Sequence, residues 1–183
     1  DGSKYRGEWK GDKENGYGAC QFSDGTVFRG EWKDDSWVQS TACPKKTKVF
    51  GNGIVSAVAG ANATFGIEAR DELNNKRLSG GDIFRVVLTL IDDDDDGGGG
   101  DNDGNDQVEK VVEYGVVTDN DDGTYSISYS CTVAGTYACD ITIGDDEHVA
   151  NSPYSNLIVA PGQAHARKCK IRGDGLKVSQ RFE

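Results

Sequence analysis

A ten-residue pattern occurs twice near the start of the chain. Residues 1–10 read DGSKYRGEWK and residues 24–33 read DGTVFRGEWK, so the copies lie 23 residues apart and share seven identical positions. A fixed period of this length is typical of proteins in which small structural units stack on one another. One such unit cannot bury its apolar side chains alone, so the pattern predicts packed neighbouring units.

Each copy has the sequence signature of a β-hairpin. Tyr5, Gly7 and Trp9 alternate with charged residues, as in a strand that buries one face. The Asp-Gly pair that opens each copy tolerates the positive φ angles of a tight turn. Gly16-Tyr17-Gly18 predicts the start of a return strand in the first copy, whereas no Gly-x-Gly sequence follows Lys33 in the second. We therefore interpret the second copy as a shortened unit that ends an array.

The period and these sequence words closely resemble the MORN repeat over residues 1–37. The resemblance implies a MORN-like β-hairpin unit over residues 1–40, and with it a scaffold or a recruitment module close to a phospholipid membrane. Residues 1–40 contain six Lys or Arg and eight Asp or Glu, which does not favour an anionic membrane as the partner. The alternative is a short β extension that only supports the domain after it.

The remainder of the chain has the pattern of an all-β sandwich. Apolar and polar residues alternate in short segments that are separated by Gly, Asp and Asn turn signals. The predicted strands are 48–50, 63–69, 84–91, 108–117, 125–129, 137–143 and 154–159. Seven strands within about 115 residues predict a seven-stranded immunoglobulin-like β-sandwich.

Five segments of this region, in their order and spacing, resemble the filamin repeat. They are Val49–Ile54, Ala63–Asp71, Asp121–Tyr129, Ala134–Tyr137 and Ala150–Tyr154. The resemblance implies a filamin-type immunoglobulin-like domain over residues 41–160. Residues 164–176 echo residues 46–54, so we expect 161–183 to be a linker and the first strand of a second repeat, with further repeats in the parent chain. The resemblance also suggests a cytoskeletal, actin-associated protein, but nothing here matches the separate helical domain with which that family binds actin.

The negative charge of the chain is concentrated in one run. The net charge is −11, and residues 92–106 hold eight Asp and no Lys or Arg. Nucleic-acid phosphates have to be neutralised by Lys and Arg, so a nucleic-acid partner is not expected. The carboxylates of this run offer the oxygen ligands that Ca²⁺ prefers, but the Gly-rich composition favours a disordered, solvated loop without a metal.

No motif for catalysis or for cofactor binding stands out, so we expect a non-enzymatic protein without a cofactor. Gly-x-Ser-x-Gly, Walker A and His-Glu-x-x-His sequences are all absent, and His148 and His165 fall in different predicted loops. The five Cys include no Cys-x-x-Cys pair, which favours reduced thiols in a cytoplasmic protein over a zinc site or a disulfide framework.

A partner peptide that adds as an extra strand at the sandwich edge is the function we favour from the sequence. Sheet edges expose unpaired backbone groups, to which a peptide can bond while side-chain pockets supply specificity. The filamin resemblance places such a peptide against the third and fourth strands, 84–91 and 108–114. The side chains predicted to contact it are Phe84, Val86, Leu88, Leu90, Val108, Val111, Val112 and Tyr114. A passive spacer domain in a repeat array is the alternative.

Overall fold

The computed structural model of the chain describes residues 2–91 and 111–163. A four-stranded antiparallel sheet comes first, with its strands in sequence order: β1 Lys4–Lys10, β2 Lys13–Gln21, β3 Val27–Lys33 and β4 Ser36–Trp37. The return strand of the first hairpin begins at Lys13 rather than at Gly16. The second copy also has a return strand, although of only two residues, which pairs Trp37 with Trp32. The second unit is therefore a complete but shortened hairpin.

Aromatic side chains form the core of this hairpin sheet. Trp32 is 5% exposed, and its ring contacts that of Tyr5 edge to face at 5.2 Å. Trp9 has the same position in the first copy but is 57% exposed. The Tyr5 ring of the first hairpin thus covers the tryptophan of the second, as the repeat pattern predicts for stacked units.

The Tyr5 ring packs directly on a row of glycines in the sheet. Gly7 pairs with Gly18, and Gly18 pairs with Gly30, so the row crosses three strands. A Cβ atom on Gly18 would lie 2.3 Å from the Tyr5 hydroxyl oxygen, and one on Gly7 would lie 2.4 Å from it. Only residues without a side chain let the aromatic ring lie directly against the backbone here.

Two sheets form the sandwich. Their strands are β5 Lys48–Phe50, β6 Ser56–Val58, β7 Ala63–Glu68, β8 Phe84–Ile91, β9 Val112–Tyr114, β10 Val116–Asp119, β11 Thr124–Tyr129, β12 Gly135–Ile143, β13 Glu147–His148 and β14 Tyr154–Ala160. The first sheet has the order β10-β11-β7-β5, and the second has the order β6-β14-β12-β8-β9, with β13 paired to β12. All pairs are antiparallel except β14 with β6.

The structure adds a strand after the predicted strand 48–50 and divides the predicted strand 108–117. A 3₁₀ turn at Asn52–Ile54 separates β5 from β6, which belong to different sheets. Gly115 separates β9, which pairs with β8, from β10, which pairs with β11. A Cβ atom at Gly115 would lie 2.9 Å from Val86, so glycine is needed where the chain changes sheet. The described residues therefore hold ten strand segments in the sandwich, where the sequence predicts seven strands.

The core of the sandwich lies between the inward faces of the two sheets. Its fully buried side chains include Ile67, Leu88, Ile127, Tyr137 and Leu157. These residues come from β7, β8, β11, β12 and β14, so both sheets contribute. Burial of each such aliphatic side chain stabilises the fold by about 1.5–3 kcal/mol, which holds the sheets face to face.

The hairpin sheet is joined to the sandwich through Asn75, in the loop between β7 and β8. The Asn75 side-chain amide donates to the Arg29 carbonyl at 2.5 Å, and its oxygen accepts from the Arg29 N–H at 2.9 Å. The amide thus satisfies both backbone groups of one β3 residue, as a neighbouring strand would. Asp71 orients Asn75 by accepting from its backbone N–H at 2.8 Å and from its side-chain nitrogen at 2.7 Å.

A second set of contacts fixes the segment that links the two units. The Arg77 guanidinium donates to the Ser40 carbonyl, and the Gln39 side-chain nitrogen donates to the Ser79 hydroxyl at 2.6 Å. Arg77 is itself held by Asp82, with 2.9 Å between Nε and the carboxylate. Tyr125 from β11 donates its hydroxyl to Asp82 at 3.0 Å. The hairpin sheet is therefore anchored to the sandwich through a chain of polar contacts, most of which are partly buried.

Candidate functional site

The edge formed by β8 and β9 is the surface that the sequence singles out for a partner. Strand β9 covers β8 across Val87–Thr89. On either side of this stretch, Leu90 donates its N–H to the Val111 carbonyl at 3.0 Å, and Gly115 donates to the Val86 carbonyl at 3.1 Å. A peptide cannot pair directly with this part of β8, because β9 already occupies it. Among the described residues, β9 is the outermost strand of its sheet.

Three of the predicted contact residues are not on the surface. Phe84, Val86 and Leu88 are 7%, 1% and 0% exposed, and all belong to the core. Contrary to the prediction, these side chains do not form a partner surface, because the even-numbered positions of β8 face the opposite sheet. Leu90 is half-buried and packs against the same core.

The remaining predicted residues lie on or next to β9. Val112 is 38% exposed and Tyr114 is 66% exposed. Val111 is half-buried immediately before β9, and Val108 lies outside the described residues. Of the eight predicted contact residues, only Val112 and Tyr114 are seen with an exposed apolar side chain in the described part of the chain.

Register shows which β8 residues share a face with Val112 and Tyr114. Val87 pairs with Tyr114, and Thr89 pairs with Val112. Residues directly opposite one another on paired strands point to the same face of a sheet. Val87, Thr89, Val112 and Tyr114 therefore form one outward-facing surface, which we call the edge patch. Val87 and Thr89 were missed from the sequence, although the polar residues Arg85 and Thr89 indicate that the odd-numbered positions of β8 face outward.

The backbone N–H and C=O groups of β9 point in alternating directions along the strand. Val111 and Gly115 direct their bonding groups towards β8. Bonding direction alternates along a strand, so the N–H and C=O groups of Val112 and Tyr114 point away from β8, to the open side of β9. No strand among the described residues pairs with that side of β9, so the edge patch is adjacent to donors and acceptors that a further strand can use.

Glu113, between these two residues, holds β9 in place. Its carboxylate accepts from the Thr132 hydroxyl at 3.2 Å, which ties β9 to the loop between β11 and β12. That loop also contains Cys131, a buried thiol whose pKa is raised mainly by burial and further by the negative charge of Glu113. Burial likewise raises the pKa of Cys139 in β12 to about 12. Both thiols are therefore protonated at neutral pH and unsuited to nucleophilic chemistry.

Neither a metal site nor a membrane-spanning helix occurs in the part of the chain that the structure describes. No group of three or more His, Cys, Asp or Glu could hold a metal ion within residues 2–91 and 111–163. The acidic run at 92–106, for which Ca²⁺ was considered, lies outside those ranges. No helix there is long and apolar enough to cross a membrane.

The fold and its open edge define an immunoglobulin-like β-sandwich preceded by a β-hairpin repeat. Comparison with protein families agrees: residues 41–155 match the Filamin/ABP280 repeat, and residues 5–27 match the MORN repeat. The chain belongs to the filamin repeat family, and both resemblances seen in the sequence are confirmed. The filamin-type repeat is a non-catalytic interaction fold, which makes this chain a protein-interaction module.

Individual relatives match the chain over part of their length. The chain is 31% identical over 130 residues to the E3 ubiquitin-protein ligase TRIM71 of Rattus norvegicus, and the match covers 70% of this chain but 13% of that protein. It is 30% identical over 97 residues to the dynein alpha chain of the flagellar outer arm of Chlamydomonas reinhardtii, covering 52% of this chain and 2% of that one. The solved Lin-41 filamin domain is 14% identical with a TM-score of 0.48, covering 68% of this chain and all of that domain.

Proposed function

We propose that this chain is a scaffold or adaptor module that binds partner peptides by strand addition at the open side of β9. The observation that carries the proposal is the edge patch, in which the exposed Tyr114 and Val112 side chains lie beside outward-pointing backbone groups of the same residues. A partner strand would take its affinity from main-chain hydrogen bonds and its specificity from side chains packed against the edge patch.

The proposed position of the peptide differs from the position expected from the sequence. The expected groove between residues 84–91 and 108–114 is closed over Val87–Thr89 by the pairing of β8 with β9. The peptide would therefore extend the sheet beyond β9 rather than insert beside β8. Its apolar side chains would then follow the row that Val112 and Tyr114 begin.

We place the parent protein in a cytoskeletal setting as part of the same proposal. One relative is named as a dynein chain of the flagellar outer arm, and filamin-type repeats are interaction modules. Residues 161–183 would begin a further repeat, so that the interaction module stands in an array. A passive spacer or a phospholipid-recruitment module would lack binding at the edge patch, which gives a direct test.

Selection of phage-displayed random peptides on the full chain, followed by affinity measurement, tests the proposal. Val112→Pro removes an outward N–H without removing a bond to β8, and proline is tolerated on edge strands. We expect it to weaken binding about fivefold to tenfold, the equivalent of one hydrogen bond of about 1–1.5 kcal/mol. Tyr114→Glu should weaken binding at least as much, because it places a charge in the apolar surface.

The matched control is Ile158→Glu on β14, which is 60% exposed on the same sheet but distant from the edge. It should leave the affinity unchanged. If no peptide is enriched, or if all three variants bind alike, the edge is not a peptide site and the spacer alternative is favoured.

A further inference from the structure

A cleft of about 640 Å³ lies where the hairpin sheet meets the sandwich. One wall comes from β2, β3 and β4, the other comes from the β7–β8 loop and β13, and the linking segment 40–44 forms the base. Neither unit has this cleft alone. The paired hydrogen bonds between Asn75 and Arg29 hold the two walls at a fixed separation.

The charge of the cleft is predominantly negative. Glu31 on one wall and Glu72 and Glu147 on the other are exposed, and none has an ion-pair partner among the described residues. Arg29 is the single basic side chain among the described residues that line the cleft. Three unpaired carboxylates around one opening attract a ligand with several positive charges.

Apolar side chains stand beside these carboxylates. Tyr17, Val38 and Leu73 line the cleft and are 58%, 41% and 43% exposed, and the Trp37 ring lies among them. Tryptophan and tyrosine are the residues most often found at the energetic centres of protein interfaces. A ligand that fits this lining has apolar groups as well as positive charges.

The base of the cleft offers backbone groups. Thr41 and Ala42 lie in an irregular segment and form no backbone hydrogen bond within the described part of the chain. Peptide ligands use such groups as main-chain donors and acceptors, which small cations or lipid headgroups do not require.

From these observations we propose that the junction cleft is a second binding site, which takes a basic segment of a protein partner in which lysine or arginine alternates with apolar residues. The carboxylates pair with its charges, Tyr17, Val38 and Leu73 contact its apolar side chains, and the linking segment bonds to its backbone. The site is independent of the edge patch and exists because the two kinds of repeat adjoin.

Fluorescence polarisation with the full chain and a short labelled peptide of alternating lysine and leucine tests this inference. Replacing the three carboxylates one at a time, by Glu31→Gln, Glu72→Gln and Glu147→Gln, should weaken binding two- to fivefold each, the range of exposed ion pairs. The triple variant should lose about tenfold to a hundredfold, and wild-type affinity should fall with rising salt. Trp37 emission should also change, because its ring lines the cleft.

Three controls make the test specific. Asp24→Asn removes a charge from the turn before β3, outside the lining of the cleft. It keeps the oxygen that accepts from the Thr26 N–H, and it should have no effect on binding. Tyr114→Glu should also have none, which separates this site from the edge patch. A peptide of alternating glutamate and leucine should not bind.

Equal binding by wild type and the triple variant would overturn the inference, as would equal loss in Asp24→Asn. Concentration-dependent dimerisation of the chain without peptide, abolished in the triple variant, would identify a second copy as the occupant and would also overturn it. Circular dichroism melts of all variants should match wild type, since these carboxylates are exposed.

Discussion

Substitution of Asn75 tests how the two units of this chain are held together. In Asn75→Ala, the Arg29 N–H and C=O groups lose the amide that satisfies both of them, and the Asp71 carboxylate loses one of its donors. Asn75 is 3% exposed, so water reaches these groups poorly in the folded state. The hairpin sheet should therefore be held much less firmly to the sandwich.

The cost can be estimated from the number of unpaired groups. Each buried donor or acceptor left without a partner costs about 1–3 kcal/mol, and three groups are affected, two of them only partly buried. We expect a loss of about 3 kcal/mol in the free energy of unfolding. With an m-value of about 2 kcal/mol/M, the urea midpoint should fall by about 1.5 M.

The distribution of tryptophan supplies the assay. Trp9, Trp32 and Trp37 are the three tryptophans of the chain, and all lie in the hairpin unit. Tryptophan fluorescence therefore reports unfolding of the hairpins, while far-ultraviolet circular dichroism reports mainly the larger sandwich. The fluorescence midpoint of Asn75→Ala should move at least as far as the circular dichroism midpoint. An unchanged fluorescence midpoint, or a shift no larger than that of the exposed control Asn62→Ala, would show that Asn75 does not hold the hairpin sheet to the sandwich.

Three other substitutions test the packing and the electrostatics. Gly18→Ala places a Cβ atom 2.3 Å from the Tyr5 hydroxyl oxygen and should destabilise the hairpin sheet by about 1–3 kcal/mol, seen as an earlier fluorescence transition. Tyr125→Phe removes a buried hydroxyl bonded to Asp82 and should cost about 1–2 kcal/mol in urea unfolding. Burial raises the pKa of Cys139 from the ordinary thiol value of 9.0 to about 12, so the stability that depends on this thiol is fully present below pH 9 and is lost as the pH rises towards 12. Between pH 8 and 10, Cys139→Ala should therefore lose about 1 kcal/mol less stability than wild type, and an equal loss in both would contradict a buried, protonated thiol.

Local patterns determine much of this fold, which is why the sequence predicts it. The 23-residue repeat and the alternation of residues such as Tyr125 and Tyr129 with polar neighbours directly reflect which face of a strand is buried. Strand 84–91 shows the limit of such inference. Its apolar run contains candidates for either face, and only the polar Arg85 and Thr89 indicate that Phe84, Val86 and Leu88 belong to the core.

Features that depend on contacts between distant residues could not be read from the sequence. The change of sheet at Gly115 depends on its approach to Val86, and the pairing of Asn75 with Arg29 joins residues 46 positions apart. The junction cleft arises from that pairing, so neither repeat pattern reveals it. The edge patch likewise depends on the register between β8 and β9.

Amide hydrogen exchange, measured by nuclear magnetic resonance on the full chain with the tightest peptide from the phage selection, tests strand addition at β9 most directly. We expect the amides of Val112 and Tyr114 to exchange rapidly in the free protein and to become protected when the peptide binds. The amides of Glu113 and Gly115, which face β8, should be protected in both states. Protection that does not change at Val112 and Tyr114, with new protection elsewhere, would contradict strand addition at this edge.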